Sequence, residues 1–107
     1  MEIREYLHPD GSSPYSRWFH ALNAQAAVKV TAAVVRMEHG NLSCTKSVGG
    51  GVFECKIDFG PGYRLYFGKD GERLIILLGG GTKKGQNKDI QKAKELWVNY
   101  KRRKKEE

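Results

Sequence analysis

Residues 51–84, GVFECKIDFGPGYRLYFGKDGERLIILLGGGTKK, decide the fold. Successive side chains on a strand point to opposite faces. Across Val52–Phe59 this puts Phe53, Cys55, Ile57 and Phe59 on one side and Glu54, Lys56 and Asp58 on the other. In the next segment Tyr63, Leu65 and Phe67 share the apolar side, and Arg64 and Tyr66 point away from it. GPG at 60–62 and GKDG at 68–71 read as turns, since glycine tolerates positive φ and proline fixes its own. Leu74–Leu78 is apolar without alternation, the pattern of a strand covered on both faces. The reading is three consecutive strands that bury one face and present Glu54, Lys56, Arg64 and Tyr66 together on the other.

Outward from this core the N-terminal half reads as a short strand, Met1–Leu7, broken by HPDGSSP. Ser13 is placed to cap a helix that has Pro14 at its first position and Trp18, Phe19 and Leu22 as its apolar stripe. Asn23 caps a second helix in which Ala27, Val30, Val34 and Met37 recur at helical spacing, and Gly40–Asn41 stops it. The two helices are expected to form a hairpin against the sheet. Residues 41–50, rich in Ser and Gly, read as a loop. Ile90, Ala93, Trp97 and Tyr100 give a last helix a narrow seam, with basic residues on its other faces and a tail, KRRKKEE at 101–107, expected to fray. The order is βααβββα, an α+β class built as one domain over 1–107.

The chain has 107 residues and a net charge of +7. From Lys83 onward there are ten Lys or Arg against four Asp or Glu, whereas the first 82 residues are nearly balanced. The cationic field is therefore C-terminal, where it attracts nucleic acid or an acidic protein. No signal peptide and no apolar run of membrane-spanning length is read, and a membrane partner is excluded. Cys44 and Cys55 form no C-x-x-C pair, and two cysteines do not make a disulfide framework. With Cys55 on an apolar face, a buried thiol in a reducing cytoplasm is expected. No zinc or calcium spacing occurs, GGGTKK lacks the Walker spacing, and His8, His20 and His39 are scattered, so neither metal nor cofactor is expected.

The chemistry falls to the basic and hydroxyl-bearing face. Lys56, Arg64 and Tyr66, with Lys83 and Lys84 just past the last strand, form a set that suits a phosphodiester, Arg64 offering a bidentate fork. RNA brings its own nucleophile, the 2′-hydroxyl, so a protein need only align it, move protons and stabilise the charged phosphorane. Glu54, Lys56 and Tyr66 are the candidates for proton handling, and Arg64 with Lys83 for charge stabilisation. Lys84 and Lys88, with Lys56 and Arg64, are the RNA-binding candidates. Arg64→Ala is expected to spare the fold, because Arg64 points away from the apolar side. The plain competitor is a solvated face of cross-strand ion pairs among Glu54, Lys56 and Arg64.

The run VFECKIDFGPGYRLYFGKDG, followed by IILLGGGTKKGQNKDIQKAKELW, resembles the addiction-module killer proteins of the RelE/ParE toxin superfamily, HigB-like members among them. The resemblance rests on WF at 18–19, SVGGGVFE, GPGYR, and the pattern spelled by Gly80, Gly81, Lys83, Gln86, Asp89, Ile90 and Ala93. It implies the compact RelE-like fold. It also implies the toxin of a type II toxin–antitoxin system, a metal-independent endoribonuclease that cuts mRNA on the ribosome and halts translation. A cognate helix-turn-helix antitoxin is the implied partner, and operator DNA is reached only through it. Arg64 matches the phosphate-contacting arginine of the GYR segment, Lys56 one of the strand lysines, and Lys83 or Lys84 the basic residue after the last strand. Glu54 departs from the basic residue of RelE, the histidines of HigB-like and YafQ-like nucleases have no counterpart, and Tyr100 is an insecure match to a C-terminal tyrosine. The ParE branch shares the fold and acts on DNA gyrase, which supplies the alternative function.

Overall fold

The computed structural model describes residues 1–107 as β1 (Glu2–Glu5), α1 (Pro14–His20), α2 (Ala24–Glu38), β2 (Thr45–Gly49), β3 (Val52–Ile57), β4 (Tyr63–Asp70), β5 (Leu74–Thr82) and α3 (Gln86–Glu106), the last entered through a 3-10 turn at Lys83–Gly85. One five-stranded sheet runs in the order β1-β5-β4-β3-β2. Only the β1–β5 pair is parallel.

The caps sit where local chemistry asks for them. The Ser13 hydroxyl accepts from the Ser16 amide at 3.0 Å, with Pro14 at the first turn, and Asn23 Oδ1 accepts from the Ala26 amide at 2.8 Å. At the end of α2 the amides of Gly40 and Asn41 donate to the carbonyls of Met37 and Arg36, both at 2.9 Å. That paired closure needs a left-handed residue, and Gly40 provides it at φ 87°.

The α1–α2 hairpin covers one sheet face. There Ala26, Val30, Ala33 and Met37 pack on Cys55, Ile57, Tyr63, Leu65, Phe67, Ile75 and Leu77. On the opposite face Ala93, Leu96 and Trp97 of α3 pack on Tyr6, Val52, Tyr66, Ile76 and Leu78. The unalternated run at 74–78 is thus explained: β5 lies between β1 and β4, with Ile75 and Leu77 under the hairpin and Ile76 and Leu78 under α3. Trp97 lies flat on Gly68, where a Cβ would stand 2.5 Å from its ring.

Four expectations are corrected. The segment read as a loop over 41–50 contains β2, a short edge strand whose Thr45, Lys46 and Ser47 pair with Cys55, Glu54 and Phe53. Its polar, half-exposed residues carry little strand signature, because an edge strand needs no second buried face. The order is therefore βααββββα. The tail is helical to Glu106, since Arg103 donates to the Leu7 carbonyl at 2.7 Å and stacks over Tyr6, while Lys104 and Tyr100 both bond Asp70. Cys55 is buried, but it is bonded to Cys44 as a disulfide; β2 and β3 bring the two Cα atoms to 5.0 Å. Finally, α3 covers the sheet face that had been expected to lie open. No helix is long and apolar enough to cross a membrane.

Candidate nucleic-acid interface

The pairing of β3 with β4 sets Glu54 opposite Tyr66 and Lys56 opposite Arg64. On the other side of β4, Arg64 faces Gly81 and Tyr66 faces Gly79. The four side chains therefore share one face, as their alternation requires. Their exposure is another matter. Glu54 is 1%, Tyr66 1% and Arg64 5% exposed, because the first turns of α3 lie over them. The approach is close: a Cβ on Gly81 would collide with the Asp89 carboxyl of α3. Lys56 alone of the four stays in solvent, paired with Asp58 at 3.6 Å.

The expectation of an open basic face is corrected to a polar layer trapped between the sheet and α3. At its centre the Glu54 carboxylate lies 3.6 Å from Arg64 Nε and 3.5 Å from Lys46 Nζ, and accepts from Gln86 Nε2 at 3.3 Å. Arg64 Nε and Nη1 and the Tyr66 hydroxyl are buried without hydrogen-bond partners. The Glu54 carboxylate offsets part of the desolvation at Arg64 Nε, whereas Arg64 Nη1 and the Tyr66 hydroxyl each carry a cost of about 1–3 kcal/mol. Burial first, then the charge of Glu54 and of Asp89, pushes the Tyr66 hydroxyl up to about 12, against an opposing pull from Arg64. Tyr66 is thus protonated at neutral pH and suited to donate a proton, not to accept one.

The cations around this layer converge in part. Gly62 joins Arg64 to Lys83: a Cβ built on it would stand 3.7 Å from Arg64 Nη1 and 3.8 Å from Lys83 Cβ. The Lys83 amide donates to the Gly62 carbonyl at 2.9 Å, which fixes the start of the 3-10 turn against the β3–β4 connection. Lys83, Lys84 and Lys88 are exposed at that end of the molecule. Arg64, Lys56 and Lys83 therefore meet at one rim, with Lys46 on the far side of Glu54.

Reading along the strands missed three members of the layer. Lys46 was hidden in the segment taken as a loop. Gln86 and Asp89 belong to the motif near the start of α3, but only the packing of that helix on the sheet turns them inward. Asp89 has its carboxyl raised above the ordinary value by burial, which outweighs Lys92 and Lys88. No group of three or more His, Cys, Asp or Glu side chains is arranged to hold a metal ion.

The model of the phage-derived Gp49-like protein family (DUF891) matches residues 17–98, from α1 to the fourth turn of α3. An uncharacterized protein of Haemophilus influenzae is 43% identical over 83 residues, which cover 77% of this chain and 84% of that protein. The matched span holds every residue of the polar layer, and the α+β architecture is consistent with the RelE-like fold. The family is one associated with the toxins of toxin–antitoxin systems. This chain belongs to the phage-derived Gp49-like family.

Proposed function

We propose that the protein is the toxin of a type II toxin–antitoxin system and acts as a metal-independent mRNA endoribonuclease. On this reading it halts translation at the ribosome in the cytoplasm and is neutralised by a helix-turn-helix antitoxin, through which alone it reaches operator DNA. The observation that supports it is the Arg64 guanidinium, buried beside Lys83, with Nε turned to Glu54 and Nη1 without a partner. A phosphate entering at the rim of Lys56 and Lys83 would supply the missing acceptor through charge-assisted hydrogen bonds. The RNA 2′-hydroxyl then attacks the adjacent phosphorus and the bond to the 5′-oxygen breaks, leaving a 2′,3′-cyclic phosphate and a free 5′-hydroxyl. The exposed Lys56 ammonium protonates the departing oxygen, and Glu54 takes the proton of the nucleophile.

One observation favours a second reading, a ParE-like toxin that binds DNA gyrase without cutting RNA. With α3 over Glu54, Arg64 and Tyr66, the cations left open around the layer are lysines: Lys46, Lys56, Lys83, Lys84 and Lys88. Primer extension on mRNA after induction separates the two. New cuts that vanish in Lys56→Ala/Lys83→Ala support the nuclease. Growth arrest without cuts, together with inhibited supercoiling by purified gyrase, replaces it with the second reading.

A further inference from the structure

Beside the polar layer a cleft of about 240 Å³ opens between α1 and α3. Its floor is the backbone of Gly79 and Gly80 with Leu78, at the part of β5 that extends past the end of its pairing with β1. One wall is the N-terminal part of α1 with His8 from the preceding turn, and the other is α3. Gly80 has no room for a side chain, because a Cβ there would stand 2.5 Å from the Trp18 ring, which lies flat on the strand. The cleft is thus walled by an indole held rigid against the sheet.

The polar groups around it are of three kinds. Arg17 and Lys92 are exposed cations on opposite walls. Asp89 is a half-buried carboxyl that enters none of the ion pairs of the chain. Tyr66 lines the base, 1% exposed, and its hydroxyl is one of the three buried polar atoms without a partner. Such a set offers one acceptor, one donor and a pair of cations above a flat apolar wall.

We infer that this cleft takes the base and a flanking phosphate of one unpaired ribonucleotide, with preference for a base that carries an exocyclic amine. The inference rests on the nuclease reading and adds a base-selecting site to it. Proteins read single-stranded RNA by packing splayed bases against aromatic side chains and bonding their Watson–Crick edges. A carboxylate accepts from an exocyclic amine, and a hydroxyl donates to a ring nitrogen or carbonyl. Guanine, cytosine and adenine offer Asp89 an exocyclic amine, whereas uracil offers only its N3–H, flanked by two carbonyl oxygens that repel a carboxylate. Arg17 and Lys92 neutralise the phosphate. Tyr66 stands two residues along β4 from Arg64 on the same face, so a base seated here belongs to a nucleotide beside the phosphate at Arg64.

The test is binding to the full chain, by calorimetry with AMP, CMP, GMP and UMP and by anisotropy with short single-stranded oligoribonucleotides that differ at one position. UMP and uridine at the selected position are expected to bind at least five-fold more weakly than the best base. Asp89→Ala should level the four bases, and Lys92→Ala should raise every Kd by about ten-fold. Tyr66→Phe should weaken binding several-fold without lowering Tm, which separates a lost contact from a lost fold. Equal affinity for all four bases, or indifference to Asp89→Ala and Lys92→Ala, overturns the cleft. If oligonucleotides still bind in a Lys83-dependent way, the RNA reading survives without it. Monophosphates that bind as tightly as oligomers would make the occupant a free nucleotide and overturn the RNA assignment. No binding of any RNA ends both.

Discussion

The two faces of the sheet are built from alternate residues of the same strands, yet they solve different problems. Under the α1–α2 hairpin, Leu65 and Phe67 meet only apolar neighbours, and that face follows the ordinary rule of a close-packed core. Under α3, one residue away along β4, Arg64 and Tyr66 are equally hidden but carry polar atoms, Nη1 and the hydroxyl, that have no partner in the protein. A fold selected for stability alone would fill those positions with apolar side chains. The first face holds the domain together; on the function proposed above, the second gives up stability to keep charged groups within reach of RNA.

The largest expected effects test that contrast directly. Phe67→Ala should lower unfolding free energy by about 3–5 kcal/mol in urea titration, the cost of a cavity in the hairpin core. Arg64→Ala should cost about 3 kcal/mol, because it leaves the buried Glu54 carboxylate with only Lys46 and Gln86. This replaces the expectation that Arg64 is dispensable to the fold. The faces part company in the rescue. Glu54→Leu/Arg64→Met should be as stable as the native chain or up to about 4 kcal/mol more so, since apolar isosteres of a buried ion pair need no desolvation. A double variant still destabilised by several kcal/mol would show the pair to be structural and break the contrast.

Next in size is the disulfide, which clips β2 to the hairpin side of β3. Cys44 and Cys55 are 11 residues apart, and closing a loop of that order is worth about 3 kcal/mol. Reductant should lower the urea midpoint by a matching amount with an unchanged slope, and Cys44→Ser/Cys55→Ser should be insensitive to it.

Titration gives a smaller and graded signature. Burial raises Tyr15, Tyr66 and Tyr100 each to about 12. A folded-state value above the unfolded one, near 10, means a contribution that is complete below about pH 10 and lost as pH rises toward about 12. Two of these tyrosines lie on the α3 side, so fluorescence-detected unfolding in that window should loosen α3 before the hairpin. Asp70 acts in the opposite direction: its bonds from Lys104 and Tyr100 hold its carboxyl below the ordinary value. Its contribution is present above about pH 4 and fades as pH falls through that lowered value. The smallest effect sharpens the contrast most. Tyr66→Phe removes a buried hydroxyl that has no partner and should raise stability by about 1 kcal/mol, measured by thermal unfolding.

Much of this was legible along the chain. Alternation assigned Phe53–Ile57 of β3 and Tyr63–Phe67 of β4 to their faces, though Gly68–Asp70, read as part of a turn, continue β4; Ser13, Asn23 and Gly40 marked the helix ends where they occur. What the chain could not disclose was what covers the polar face. The seam of α3, read as Ile90, Ala93, Trp97 and Tyr100, looked thin because the glycines that receive it, Gly68 and Gly81, lie on other elements. Those absent side chains let α3 approach closely enough to bury Glu54, Arg64 and Tyr66. The strand β2 and the Cys44–Cys55 bond escaped for a related reason: both depend on a register with β3 that no local pattern in 41–50 expresses.

The central claim is that the buried Arg64 is kept for a phosphodiester and not for the fold. Primer extension on mRNA after induction of the folded Glu54→Leu/Arg64→Met protein tests it most directly, with the native chain alongside. New cleavage sites are expected with the native chain and none with the equally stable double variant. The same cuts from both proteins would contradict it.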